Sequence, residues 1–305
     1  MAETAFIIKT FRHSDGYVAC YRHYQTAAHP VGRIVFVHGI RSHGGWYERS
    51  CTQLMQAGFE VYFLDRRGAG LNTAHRGDCP SFRRLLDDVG EFLHDLRMSK
   101  PWLPITLAGI SWGGKLAAGL HYRTPGLVNA VALFCPGFCP IVAPPLVQRI
   151  GVAQARFRDP TKLFPVPLNE PDYFTANPEW QRFIDADRFG LRMATGRFLY
   201  SSFSFDIFLK RAVKKCTVPT LLMLAGQDKV IDNAKTRKFL VNFGARDRTI
   251  IDYADAHHTL EFEPEGHAFV GDMIAWIQKK TTIVSLRRGG FAERSVERLQ
   301  ASRLV

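Results

Sequence analysis

This chain is short of several features, and each shortage removes a class of answer. It has no apolar run long enough to cross a bilayer. The opening MAETAFIIKTFRHSDG is interrupted by Lys9 and Arg12 before a signal peptide's apolar stretch could form, so the protein is expected to be cytoplasmic. Its six cysteines (Cys20, Cys51, Cys79, Cys135, Cys139 and Cys216) lack the spacing of a secreted disulfide framework. Cys135 and Cys139 have three residues between them, not the two of a redox or zinc pair. They read as buried, reduced thiols, and no metal is expected. Acidic residues are also scarce: 28 Asp and Glu stand against 40 Lys and Arg, a net charge of +12. The basic residues are scattered and form no arginine-rich block or nucleic-acid module, so nucleic acid is not an expected partner. The charge implies solubility and at most a weak attraction for anionic surfaces. Internal repeats are absent.

What the chain does have is ordinary globular material, with 46% apolar and 22% charged residues. Its 305 residues can bury one large core with an inserted subdomain. FIIKTFRHSDGYVACYRHYQ reads as a hairpin turning at Ser14-Asp15-Gly16. GRIVFVHG and FEVYFLD are short, continuous, β-branched and aromatic runs, as strands buried on both faces require. A helix fits between Trp46 and Ala57. Another follows Ser81 as N-cap, with Phe82, Leu85, Leu86, Val89, Phe92, Leu93 and Leu96 at helical spacing. PITLAGI, KLAAGLHYR and NAVALFCP continue the alternation, which predicts a parallel sheet flanked by helices on both faces. The alternation lapses over 139–217, rich in proline and aromatics with a helical stretch from Leu191 to Lys215. It resumes with TLLMLAGQD, a helix capped by Asp232, RTIIDYADAHH, and an amphipathic helix through Phe269, Val270, Met273, Ile274 and Ile277. The expected division is a core of 1–138 and 218–280, an inserted and largely helical lid of 139–217, and a basic tail of 281–305.

One short stretch carries chemistry. In GISWGG, Ser111 stands where a strand gives way to a helix, inside Gly-x-Ser-x-Gly. So tight a turn points the serine oxygen out of the sheet, and the following helix aims its N–H groups toward it. Serine is a poor nucleophile at neutral pH and needs a base and a group to orient that base. Asp228 directly follows an apolar strand, where side chains project over the sheet's carboxyl edge. Asp232 is better explained as a helix cap. The loop YADAHHTLEFE offers two histidines, His257 and His258, which periodicity cannot separate. The chain order Ser, Asp, His is that of the α/β-hydrolases.

Four segments together resemble the monoacylglycerol lipase and lysophospholipase branch of the α/β-hydrolases, the serine-aminopeptidase-like group: FVHGIRSHGGWY, LDRRGAGL, GISWGG and AGQDKVID with YADAHHTLEFE. They span Val35 to Glu263. The resemblance implies an α/β-hydrolase fold and selects His258 as the base. It places one oxyanion donor at the backbone N–H of Ile40, the other being the N–H of Trp112. His38 and Asp65 match structural residues of the group. The implied activity is carboxylic ester hydrolysis in two acyl-transfer steps, without cofactor or metal, on a small ester with an apolar acyl chain. Rival readings on the same scaffold are a thioesterase, a cofactor-free haloperoxidase-like enzyme, and a catalytically silent binding module.

Three departures bear on substrate. Ile110 precedes the nucleophile where the group has histidine, Ser42 replaces a glutamate, and Trp46 replaces an arginine. All three belong to the side that receives the alcohol, so Ile110 and Trp46 would offer a glycerol headgroup fewer partners. Within 139–217, Phe164, Phe174, Trp180, Phe183, Phe198, Phe203 and Phe205 could cover an acyl groove, although packing onto the core is the better reading for any one of them. The tail arginines, from Arg287 to Arg303, offer a weak peripheral contact with anionic lipid, against the plainer account of a solvated tail.

Overall fold

The runs GRIVFV, ITLAGI, AVALF and TLLMLA become strands in which every residue is buried. Such strands need cover on both faces, and the rest of the fold supplies it. In the computed structural model, which describes residues 5–27 and 29–280, the chain begins with β1 (Ile7–Arg12), β2 (Val18–Tyr24), β3 (Gly32–Val37) and β4 (Phe59–Leu64). It continues through β5 (Ile105–Ile110) and β6 (Ala130–Phe134), then the short β7 (Leu163–Pro165) and β8 (Met193–Thr195). The last strands are β9 (Thr220–Ala225) and β10 (Arg248–Tyr253). The main sheet has eight strands in the order β1-β2-β4-β3-β5-β6-β9-β10. β2 runs antiparallel to β1 and β4, and the remaining pairs are parallel.

The helices are α1 (Glu48–Gln56), α2 (Phe82–Ser99), α3 (Trp112–Arg123), α4 (Leu146–Arg158), α5 (Pro178–Ala186), α6 (Gly196–Ala212), α7 (Asn233–Leu240) and α8 (269–280). Successive strand residues point to opposite faces. Phe36 borders one small cavity together with Leu54 of α1 and Met273 of α8, while its neighbour Val37 borders another together with Leu85 of α2 and Leu116 of α3. Helices therefore cover both faces. The cap signals take effect where they stand: the Ser81 side chain accepts from Arg84 N–H, and that of Asp232 from Lys235 N–H.

Two local expectations need correction. The helix expected between Trp46 and Ala57 is there, as Glu48–Gln56, but it does not reach back to Trp46. Gly44–Trp46 is instead a tight 3₁₀ turn, fixed by the Asp65 carboxylate accepting from Gly44 N–H and by His43 accepting from Gly45 N–H. The helix expected from Leu191 begins only at Gly196, because Met193–Thr195 pairs with Leu163–Pro165 and Thr195 then caps α6 through Phe198 N–H. Between β6 and β9 the chain leaves the sheet altogether, and α4, β7, α5, β8 and α6 are built there. The basic tail 281–305, with the lipid contact expected of it, lies outside the described residues.

Candidate active site

The turn from β5 into α3 is held open by strain and by glycine. Ser111 has φ +49° and ψ −121°, a backbone conformation that an L-residue occupies at a cost of order 1–3 kcal/mol. Its neighbours hold it there: Ser111 N–H donates to Phe134 C=O (2.9 Å), and its own carbonyl accepts from Gly114 and Gly137 (2.9 and 2.8 Å). Gly113 is required by space, since a Cβ there would lie 2.2 Å from the Val37 carbonyl oxygen.

At the sheet's carboxyl edge, two side chains from distant loops reach this serine. His258 Nδ1 lies 2.7 Å from Asp228 Oδ2, and His258 Nε2 lies 2.9 Å from Ser111 Oγ. The carboxylate fixes the tautomer: Nδ1 donates to Asp228, which leaves Nε2 free to accept the serine hydroxyl. The other oxygen of Asp228 accepts from Val230 and Ile231 N–H (2.7 and 3.0 Å). Burial pushes the Asp228 carboxyl up, but His258 and the two amides outweigh it, and the pKa is lowered. Asp232 caps α7 and His257 turns the other way, its Nδ1 3.1 Å from Glu263 Oε1.

Cys135, Asp228 and His258 bring ligand-type atoms within 4.8 Å of one another. Burial pushes the Cys135 thiol well up, and Asp228 and His258 are already engaged with each other. His13, Asp88 and Glu91 form a second such group, but Arg67 and Arg84 already neutralise its carboxylates.

Two cavities meet at Ser111. The larger, about 370 Å³, runs under the excursion between β6 and β9 and is lined mainly by apolar residues, among them Val142, Val152, Leu199, Phe203 and Ile231. Its wall also contains an ion pair between buried Lys115 and half-buried Asp206, Nζ to Oδ1 at 2.5 Å. The smaller, about 10 Å³, is lined by Ser42, Trp46, Ile110, Ser111 and His258 among others. Ile40 borders both, and Trp112 borders the larger. As the first residue of α3, Trp112 has an N–H without a partner earlier in its helix.

A profile of the family described as serine aminopeptidase, S33, matches residues 28–265. The chain belongs to that family. The human monoglyceride lipase is 24% identical over 278 residues, covering 88% of this chain and 89% of the relative. The monoacylglycerol lipase of Mycolicibacterium smegmatis is 27% identical over 262 residues, covering 81% and 88%. The fold matches the crystal structure of a soluble variant of the monoglyceride lipase from Saccharomyces cerevisiae in complex with a substrate analogue. That match has a TM-score of 0.78 at 18% identity, over 92% of this chain and 96% of that one.

Within this S33 member the turn residues Asp65 and His38 are fully engaged. The carboxylate of Asp65 accepts from Gly44 and Leu71 N–H and from Arg22, tying three segments together. His38 Nε2 accepts from Arg66 N–H (2.9 Å). Its Nδ1 therefore carries the proton and donates to Gly39 C=O at 2.8 Å.

Ser42, Trp46 and Ile110, expected on the alcohol side, are packed tightly. Ser42 Oγ accepts from Tyr47 OH, Trp46 Nε1 donates to Asp187 Oδ2 at 2.8 Å, and Ile110 is buried. Asp187 is held down to about 2: burial raises it, and the contacts from His43, Trp46 and Phe189 N–H more than offset that. Of the seven aromatics singled out between 139 and 217, Phe203 alone lines the larger cavity. The others pack: Phe174 lies 6.1 Å from the His258 ring, Trp180 stacks on Phe262, Phe198 sits against Trp112, and Phe205 stacks on Phe82.

Sequence reasoning missed Arg41, Arg66, Lys115 and Asp206, all charged side chains at the site. Only one faint signal pointed to any of them: Lys115 falls one helical turn after Ser111, on the face that a nucleophile presents.

Proposed function

We propose that this protein, a carboxylic ester hydrolase, works through an acyl-enzyme on Ser111. His258 removes the serine proton as Oγ attacks the ester carbonyl, and Asp228 orients the ring and steadies its cationic form. The N–H groups of Ile40 and Trp112 receive the developing oxyanion. The leaving alcohol takes the proton from His258, and water then repeats the sequence on the acyl-enzyme. The observation that carries this reading is the unbroken run of hydrogen bonds from Asp228 through His258 to Ser111.

The substrate proposed is an ester of a medium or long acyl chain, as the relatives named for monoglycerides suggest. The apolar cavity of about 370 Å³ is where the acyl chain would lie, with the 139–217 segment as its lid. The small cavity has room for about one water, so the alcohol side favours a compact leaving group. Six free thiols fit a reducing compartment, which supports a cytoplasmic location.

A chain-length series of p-nitrophenyl esters tests both parts. The expected result is a burst of p-nitrophenol, an acyl adduct on Ser111 by mass spectrometry, and rates that rise from acetate to octanoate. A preference for acetate would refute the acyl cavity, and an adduct on any other residue would refute the nucleophile.

A further inference from the structure

Arg66 is a buried cation without an anion. Its side chain is shut off from solvent, and among the described residues no carboxylate lies within ion-pair distance of it. Burial pulls the guanidinium down to about 10, so it remains charged at neutral pH. A lone buried charge destabilises a fold unless its surroundings answer it. Here backbone carbonyls and aromatic faces do so. Nη2 donates to the carbonyl oxygens of Gly39 (2.8 Å) and Ile40 (2.9 Å), and the guanidinium carbon lies 5.0 Å from the Trp112 ring centroid and 5.9 Å from that of Phe198. Nε has no partner.

The carbonyl of Gly39 and the N–H of Ile40 belong to one planar peptide unit. A positive charge on the oxygen end draws electron density away from the nitrogen end and makes that N–H a stronger donor. The same oxygen accepts from His38 Nδ1, so this peptide is gripped from two directions. Both grips originate at one place, because His38 Nε2 is itself fixed by Arg66 N–H. Arg66 also stacks against the indole of Trp112, whose backbone supplies the second proposed donor. We infer that Arg66 is a positioning residue for the oxyanion hole: it holds and polarises the Gly39–Ile40 peptide so that the Ile40 N–H meets the tetrahedral intermediate already oriented. This rests on the reading of Ser111 as nucleophile and of Ile40 as donor.

The test compares Arg66→Met, Arg66→Gln and Arg66→Lys in the full chain. Two ligands are bound to each variant: an alkyl trifluoromethyl ketone, which adds to serine as an anionic hemiketal, and the neutral alkyl ether of the same length. Arg66→Met should lower kcat about 10- to 100-fold with KM within about twofold, a fraction of what losing a whole donor costs. Hemiketal affinity should fall by the same factor while ether affinity holds. Arg66→Gln keeps donors without charge and should lie between. Arg66→Lys keeps the charge without the planar fork and should recover part of the loss, more than Arg66→Gln does. If Arg66→Met does not fold, the Gln and Lys variants still give the ranking. Folded variants that lose melting temperature but keep kcat and hemiketal affinity would overturn the inference, leaving Arg66 as packing alone. Wild-type protein that forms no hemiketal on Ser111 would instead overturn the nucleophile reading beneath it.

Discussion

The two cavities that share Ser111 draw most of their walls from different parts of the chain and are packed to different standards. The wide one borrows its walls from the excursion between β6 and β9, where helices cross with side chains left unfilled. The narrow one is built mostly from the loop after β3, the end of β5 and the His258 loop, with Leu168 and Phe174 of the excursion added, and the edge-on contact of Trp46 with Phe174 helps close it. One serine therefore faces a roomy apolar side and a side with space for about one water. With the acyl chain proposed on the wide side and the alcohol on the narrow one, selectivity for each should move largely without the other, although Ile40 and Leu168 border both.

The largest effect should come from the shared point. Ser111→Ala or His258→Ala removes the reacting pair and should cost about 10⁴-fold or more in kcat on both short and long esters. Asp228→Asn should cost about 10⁴-fold. Asp232→Asn should leave turnover and stability nearly unchanged, since Asn caps a helix as well as Asp. A chain-length dependence in the first set, or the reverse ranking of the two acids, would break the account of a common centre.

The two sides can then be separated. Val152→Phe fills the wide cavity and should lower kcat/KM for p-nitrophenyl decanoate about tenfold relative to acetate. Ile110→Ala enlarges the narrow one and should raise the rate on 1-decanoylglycerol about tenfold relative to methyl decanoate. The second change leaves a hole, so a stability loss of about 2–5 kcal/mol is expected with it. If either substitution shifted acyl and alcohol preference together, the two segments would not be independent.

The smallest effect concerns the wall behind the histidine. Glu261 shares a small cavity with His258, and burial, only partly offset by the Ser50 and Arg49 contacts, holds its carboxyl up at about 7. The unfolded chain releases that proton near pH 4.3, the folded one near 7. Between those values the folded state binds more protons, so this group makes stability fall as pH rises, and the loss is complete above the folded pKa. Glu261→Gln should flatten the melting temperature between pH 5 and 8 and match the wild type at the acid end. An unchanged slope would show that Glu261 does not titrate in that window.

How much of this was legible follows the range over which each feature is determined. The central strands were readable because burial on both faces leaves a continuous apolar run. Ser111 was readable because a strained elbow needs its glycines within two residues. The histidine was not readable from the residues alone: His257 and His258 are neighbours in an irregular loop, one turned to Glu263 and the other to Ser111, and a loop has no period to tell them apart. β7 and β8 are three residues each and owe their form to one another, so no local pattern announces them. Trp46 stood out as a departure from the group's pattern, but its hold on Asp187, far along the chain, has no sequence signal. Arg66 looks like any charged residue beside a turn. Its burial comes from carbonyls and rings of other segments, which composition cannot show.

The most direct test of the central claim is the rate at which a fluorophosphonate labels the protein, with the adduct located by mass spectrometry. A single adduct on Ser111 is predicted, forming at least about 10³-fold more slowly in His258→Ala because the hydroxyl then has no base. Labelling at another residue, or an undiminished rate in that variant, would contradict it.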